Sequence, residues 1–173
     1  MDALAEAGLT RASIGVQDFD PEIQKIIGRE QSFEVTKRAV DMIRDRGIAS
    51  LNADILYGLP HQDPRRIAES VQKLLALSPD RVALYGYAHV PWMKKHQQMI
   101  DEAVLPGRHE RCEQAECGAD ILESAGYVRI GLDHFARPGD TLADAAAQKR
   151  LHRNFQGYTT DAAPVLVGLG ASS

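Results

Sequence analysis

Strand-like and helix-like segments alternate along this chain at a spacing of about 30 residues, and that period leaves few folds open. "RASIGVQ" (11–17) reads as a short apolar strand ending on the polar pair Gln17–Asp18. "LNADILY" (51–57) is a second strand, closed by Gly58 and Pro60, and "RVALYGYAH" (81–89) is a third. Helical stretches separate them. Residues 20–30 carry Asp20 as N-cap and Pro21 at the first helical position. Residues 32–47 place Phe33, Val40 and Ile43 at helical spacing and stop at Gly47. Residues 63–77 repeat the pattern with Asp63, Pro64 and the apolar set Ile67, Val71, Leu74 and Leu75. A long helix is predicted over 107–126, and "YVRIG" (127–131) as a fourth strand.

Parallel neighbours need a crossover connection, which these helices supply. No Gly-x-Gly-x-x-Gly follows any strand, which argues against a dinucleotide-binding fold. The expected fold class is α/β: a partial (β/α) barrel over residues 1–131, with ligands at the C-terminal ends of the strands. Residues 132–173 read as a loop-rich, polar segment with one short helix in "DTLADAAAQKRL", placed on the substrate side or used for docking.

Asp54 stands inside the most apolar strand. A buried charge costs several kcal/mol or so unless it is paired or hydrogen-bonded, so Asp54 has a partner or faces a ligand. Alternation groups Ser13, Gly15 and Gln17 on one face, Asn52, Asp54 and Leu56 on another, and Val82, Leu84, Gly86 and Ala88 on a third. Taken as inner faces, they form a pocket with one amide, one carboxylate and a small-residue floor at Gly86 and Ala88. Such a pocket suits a nucleoside or an amino-acid-like ligand, with Asp54 accepting from an amine or ribose hydroxyls. The structural alternative is that Asp54 and Gln17 bond neighbouring strands or a helix N-terminus. Arg29, after Gly28, is placed to reach back over the strand ends or to lie at the surface. Arg137, His152 and Arg153 suit an anionic substrate, or are ordinary polar loop residues.

A formal charge of −4 argues against a nucleic-acid partner. No apolar run approaches the roughly 20 residues of a membrane span, and "MDALAEAGLT" has no basic n-region, so the chain is expected in the cytoplasm and off the membrane. Cys112 and Cys117 lie about 140° apart around one helix and share no face, so no metal site is expected from them.

Five strings carry a resemblance: "SIGVQDFDPEIQKIIGREQ", "NADILYGLPHQ", "YGYAHVPWMKKHQ", "GLDHFARPGD" and "LHRNFQGYTT". Their order and spacing resemble the oxygen-independent coproporphyrinogen III oxidases (dehydrogenases) of haem biosynthesis, which are radical S-adenosylmethionine (SAM) enzymes. "GVQDF" is shared by related radical enzymes. "HRNFQGYTT" marks this branch, where the related haem-chaperone branch has a stretch more like R-H-N-x-x-Y-W.

The resemblance implies anaerobic oxidative decarboxylation of coproporphyrinogen III to protoporphyrinogen IX. A 4Fe–4S cluster and S-adenosylmethionine supply a 5′-deoxyadenosyl radical that takes a hydrogen from the propionate β-carbon. An external electron donor and acceptor are implied, and a monomer is expected. The family's S-adenosylmethionine contacts carry over to Gln17, Arg29, Asp54 and Ala88. Arg137, His152 and Arg153 are candidates for the propionate end of the substrate, and no catalytic residue is assigned. The cluster's Cys-x3-Cys-x2-Cys motif does not occur in this chain. The expectation is therefore a piece of the enzyme with half a cofactor pocket, inactive alone. The alternative is a haem chaperone without decarboxylase activity.

Overall fold

The structure, a computed structural model, describes residues 2–154, 157–165 and 167–168. After a short helix α1 (Asp2–Glu6), β1 (Arg11–Gln17), β2 (Ser50–Tyr57) and β3 (Arg81–Gly86) form three parallel strands. The helices between them are α2 (Pro21–Ile26), α3 (Phe33–Arg44) and α4 (Pro64–Ala76). Two starts follow the predicted caps, Asp20 and Asp63, and the third is capped by Ser32. Asp20 Oδ1 accepts from Glu22 N at 2.8 Å, Ser32 Oγ from Val35 N at 3.3 Å, and Asp63 Oδ1 from Arg66 N at 2.7 Å. Pro21 and Pro64 sit at first helical positions, where a missing N–H is no loss.

Two short 3₁₀ turns, Lys95–Met99 and Glu102–Val104, lead to α5 (Arg108–Ser124). β4 (Val128–Ile130), β5 (His134–Ala136), α6 (Thr141–Ala147) and a hairpin of β6 (His152–Asn154) and β7 (Gly157–Thr159) follow. The main sheet has the order β1-β2-β3-β5-β4. Helices cover one face. Leu51, Ala53, Ile55, Val82, Leu84 and Phe135 pack there with Val40, Ile43, Ile67, Val71, Leu74 and Leu122. The opposite face carries the polar residues, so this open α/β sheet is part of a (β/α) barrel whose inner face is chemically distinct.

Three expectations are corrected. β3 ends at Gly86, not at residue 89. The predicted fourth strand exists, but it pairs antiparallel with β5, and β5 pairs antiparallel with β3, so the sheet is mixed. Only residues 131–133 separate β4 from β5, too few for a helical crossover, and a hairpin is the short solution. Residues beyond 131 are also less loop-rich than the sequence suggests, since β5 joins the main sheet and Phe135 its core.

Candidate functional site

Register shows which residues share the inner face, because directly paired residues point the same way. One row runs Ser13, Asn52, Arg81 and Ala136; the next runs Gly15, Asp54, Ala83 and His134. Leu56 and Tyr85 pair one step further along. Val82, Leu84 and Gly86 therefore belong to the helix-covered face, which corrects the sequence-based grouping by one residue. A slip of one in a strand reverses every side chain. Gly86 sits beneath Tyr57 and Arg111, which lie 3.0 and 3.2 Å from where its Cβ would stand. The small residues of the inner floor are Gly15 and Ala83.

The sheet register breaks between Gly15 and Gln17, and Gln17 has φ 68°. The bend folds the Gln17 side chain back over Gly15. A Cβ on Gly15 would meet Gln17 Nε2 at 2.7 Å and Arg29 Nη2 at 3.2 Å, so the glycine is what lets both side chains lie there. Arg29 Nη2 also donates to Gly15 O at 2.6 Å. Gln17 and Arg29 thus meet over the residue paired with Asp54.

Asp54 is half-buried. Its Oδ1 accepts from Asn52 Nδ2 at 2.7 Å, and Asn52 Nδ2 also donates to Ser13 Oγ at 2.9 Å. No described residue donates to Oδ2. Burial pushes the carboxyl pKa above the ordinary 3.8, opposed by the Asn52 hydrogen bond and by nearby His134 and Arg29. The carboxylate is thus held at a desolvation cost with one oxygen left for something else.

On the far side of Ala83, His134 is buried. Its Nδ1 lies 2.6 Å from Asp133 Oδ1, which as an acceptor-only carboxylate places the proton on Nδ1. Nε2 then accepts from Tyr85 OH across a long 3.4 Å contact. Burial raises the Tyr85 pKa first, with Asp54 and Asp133 adding to it. The β6–β7 hairpin closes over this pair: Tyr158 meets the His134 ring edge to face at 5.3 Å, and a Cβ on Gly157 would stand 3.1 Å from His134 Nε2. Tyr85 and His134 are site residues that the sequence reading did not single out. The signal lay in alternation, once β3 is counted in the right phase and β5 is recognised as a strand.

Ala88 lies past the end of β3, exposed, in a loop pinned by Gln97, whose Nε2 donates to Ala88 O at 3.1 Å and whose Oε1 accepts from Val90 N at 2.6 Å. Tyr87 N donates to Tyr57 O at 2.8 Å, which keeps this loop at the C-terminal end of β2. His152 and Arg153 stand apart from that end. They line a cavity of about 670 Å³ with Arg11, Ser13, Asn52 and Arg81. Arg137 is elsewhere again, stacked on Tyr127 at 5.7 Å and bordering a cavity of about 590 Å³ with Arg11, Arg81 and Asp140. Phe155 and Gln156 of the "HRNFQGYTT" stretch lie outside the described residues. Among the described residues, no three His, Cys, Asp or Glu side chains are grouped to hold a metal ion, and no helix is long and apolar enough to cross a membrane.

Comparison with known proteins gives this geometry a context. The model of the radical SAM superfamily matches residues 1–74. The oxygen-independent coproporphyrinogen III oxidase of Paracoccus denitrificans is 78% identical over all 173 residues of this chain, which are 38% of that protein. Its namesake from Helicobacter pylori is 44% identical over the same span and share. Over its whole length the chain is similar to part of the oxygen-independent coproporphyrinogen III oxidases, which are radical SAM proteins. The solved coproporphyrinogen III oxidase of Escherichia coli, a radical SAM enzyme, is 41% identical and superposes with a TM-score of 0.92 over 99% of this chain and 39% of its own. The chain therefore spans well under half the length of these relatives.

The cofactors of this oxidase family are S-adenosylmethionine and a 4Fe–4S cluster. The residues present fit the first and not the second. An amide, a guanidinium and a carboxylate with one oxygen that no described residue donates to converge over Gly15 and Asp54, a donor and acceptor set that suits a nucleoside bearing an amino acid. A cluster needs converging thiolates. Cys112 is exposed and Cys117 donates to Pro64 O on the helix-covered side, so these two thiols do not form a cluster site.

Proposed function

We propose that residues 1–173 form part of the S-adenosylmethionine-binding face of an oxygen-independent coproporphyrinogen III oxidase. In the complete protein this face serves the anaerobic oxidative decarboxylation of two propionates of coproporphyrinogen III, giving protoporphyrinogen IX. The observation that carries the reading is Asp54: a half-buried carboxylate whose Oδ2 takes no hydrogen bond from a described residue, on the row where Gln17 and Arg29 meet. Reductive cleavage of S-adenosylmethionine supplies the hydrogen-abstracting group. This chain's residues bind and orient the nucleoside. Asp54 accepts from ribose hydroxyls or the amino group, Gln17 donates and accepts, and Arg29 offers its guanidinium to the carboxylate. Ala88 borders the base at the end of β3.

Arg137, His152 and Arg153 are proposed on the substrate side, as cationic partners for propionate carboxylates. His152 and Arg153 act from the cavity beside Ser13 and Asn52, and Arg137 from the adjoining one. An external electron donor and acceptor complete the reaction, and the protein works as a cytoplasmic monomer. Alone, the 173-residue chain has no turnover.

The test is a chimaera in which residues 1–173 replace the matching segment of the Escherichia coli enzyme, assayed anaerobically. Conversion of coproporphyrinogen III, lost on Asp54→Asn, is the expected result. A folded chimaera that retains its cluster but shows no turnover overturns the reading. If that chimaera also binds haem tightly, the haem-carrier alternative takes its place.

A further inference from the structure

The stretch Gly15–Phe19 turns sharply where a strand would run on. Gln17 has φ 68°, and Asp18 N donates to Val16 O at 2.9 Å, so Gln17 is the central residue of a γ-turn with positive φ. That conformation is rare and strained for a residue with a side chain. It persists only where the surroundings over-determine it.

Asp18 is what holds it. The residue is 0% exposed. Its Oδ1 accepts from Asp20 N at 2.6 Å and Ser70 Oγ at 2.9 Å, and its Oδ2 accepts from Gln62 Nε2 at 2.7 Å. Its carbonyl takes Gln24 Nε2 at 2.7 Å, and the next amide, Phe19 N, donates to Ser70 Oγ at 3.1 Å. Among the described residues it forms no ion pair. A buried carboxylate held only by neutral donors pays a desolvation penalty, and burial raises its pKa despite those hydrogen bonds. An asparagine would avoid the charge but does not fit. Gln62 cannot turn its amide to suit, because its Nε2 also donates to Leu56 O at 3.0 Å and its Oε1 accepts from Leu59 N at 3.2 Å. Gln62 is tied in turn to α5 through its carbonyl, which accepts from Gln114 Nε2 at 2.7 Å. The site therefore requires an acceptor on both oxygens.

We infer that Asp18 is a positioning residue: anchored to α4 by Ser70 and to the β2–α4 loop by Gln62, it locks the γ-turn that folds Gln17 over Gly15 and beside Asp54. Its consequence for ligand binding rests on the S-adenosylmethionine reading above; the conformational lock does not.

The experiment uses the 173-residue chain. Asp18→Asn, checked for folding by far-UV circular dichroism, is expected to lose the NMR cross-relaxation between the Gln17 side-chain amide and the Gly15 Hα protons. Ser70→Ala, which keeps the carboxylate and removes one donor, weakens the same signal if the asparagine variant does not fold. Gln17→Gly, which adopts positive φ without strain, raises Tm in the parent chain and not in the Asp18→Asn background. A signal that persists in both anchor variants, or an equal Tm gain in both backgrounds, overturns the lock. Titration with S-adenosylmethionine separates the two readings. Gln17→Ala and Asp18→Asn each weaken binding about tenfold, and the double variant no further, if Asp18 acts through Gln17. If the amide signal is lost as expected but Gln17→Ala leaves titration unchanged, the lock stands and the cofactor reading falls.

Discussion

Asp54 and His134 stand in one row of the inner face, each in register with Ala83 between them. A carboxylate and an imidazole thus face the same space across one methyl group, two strand spacings or about 10 Å apart at the backbone. One flank of that space carries Gln17 and Arg29, and the other carries Tyr85 and the β6–β7 hairpin.

Asp54→Asn is expected to stabilise the chain while weakening its ligand. Burial raises the carboxyl pKa above 3.8, so the folded state takes up a proton before the unfolded chain does as pH falls. The ionised form therefore costs stability at neutral pH, and that cost disappears between the raised folded value and 3.8. Thermal melts should show a higher Tm for Asp54→Asn at pH 7, converging on the parent near pH 4. Calorimetric titration should show S-adenosylmethionine binding weakened by about 1–3 kcal/mol. A lower Tm at pH 7 would mean that the carboxylate is a structural bond rather than a poised one.

Gly15→Ala tests the same cluster from beneath. The new methyl would sit 2.7 Å from Gln17 Nε2 and 3.2 Å from Arg29 Nη2, both far ends of flexible side chains. They yield at little cost, so Tm should move by no more than a few degrees, while S-adenosylmethionine binding drops about tenfold or more. Unchanged binding would place Gln17 and Arg29 outside the contact surface.

Tyr85→Phe leaves His134 Nε2 without its donor while Asp133 still holds Nδ1. Urea denaturation should report a loss of about 1 kcal/mol. A double variant with His134→Ala should lose less than the sum of the two single changes, because the two groups share one contact.

Asp140→Ala tests the far end of the sheet. Asp140 accepts from Arg81 Nε at 2.9 and 3.0 Å and caps α6 through Leu142 N at 2.7 Å, with both members of the ion pair mostly buried. Removing the carboxylate leaves a buried guanidinium unpaired, and equilibrium unfolding should show about 3 kcal/mol lost. Asp140→Asn, which keeps the cap, should recover part of that loss.

Legibility differed from element to element. Asp20, Ser32 and Asp63 are local signals, since a cap and its helix lie within three residues of each other, and the predicted helix starts are where the structure has them. Ile67, Val71 and Leu74 likewise read as one buried stripe and are one. The phase of β3 was not legible. Val82, Ala83 and Leu84 are all apolar and all buried, so alternation offers no way to tell which faces the helices. The pairing of β5 with β3 was hidden for a different reason: "HFA" is three residues long, and its partner lies about 50 residues earlier.

Helices α2 to α6, strands β1 and β2, and a carboxylate where an apolar strand has no use for one were all readable from the chain's residues alone. These follow from periodicity, capping and desolvation, which act over a few residues. Which side chains share the inner face with Asp54 was settled by strand register, a property of the folded sheet. Only the tertiary structure turned Gln17 back over Gly15, because that turn is anchored through Asp18 by side chains 44 and 52 residues further along the chain.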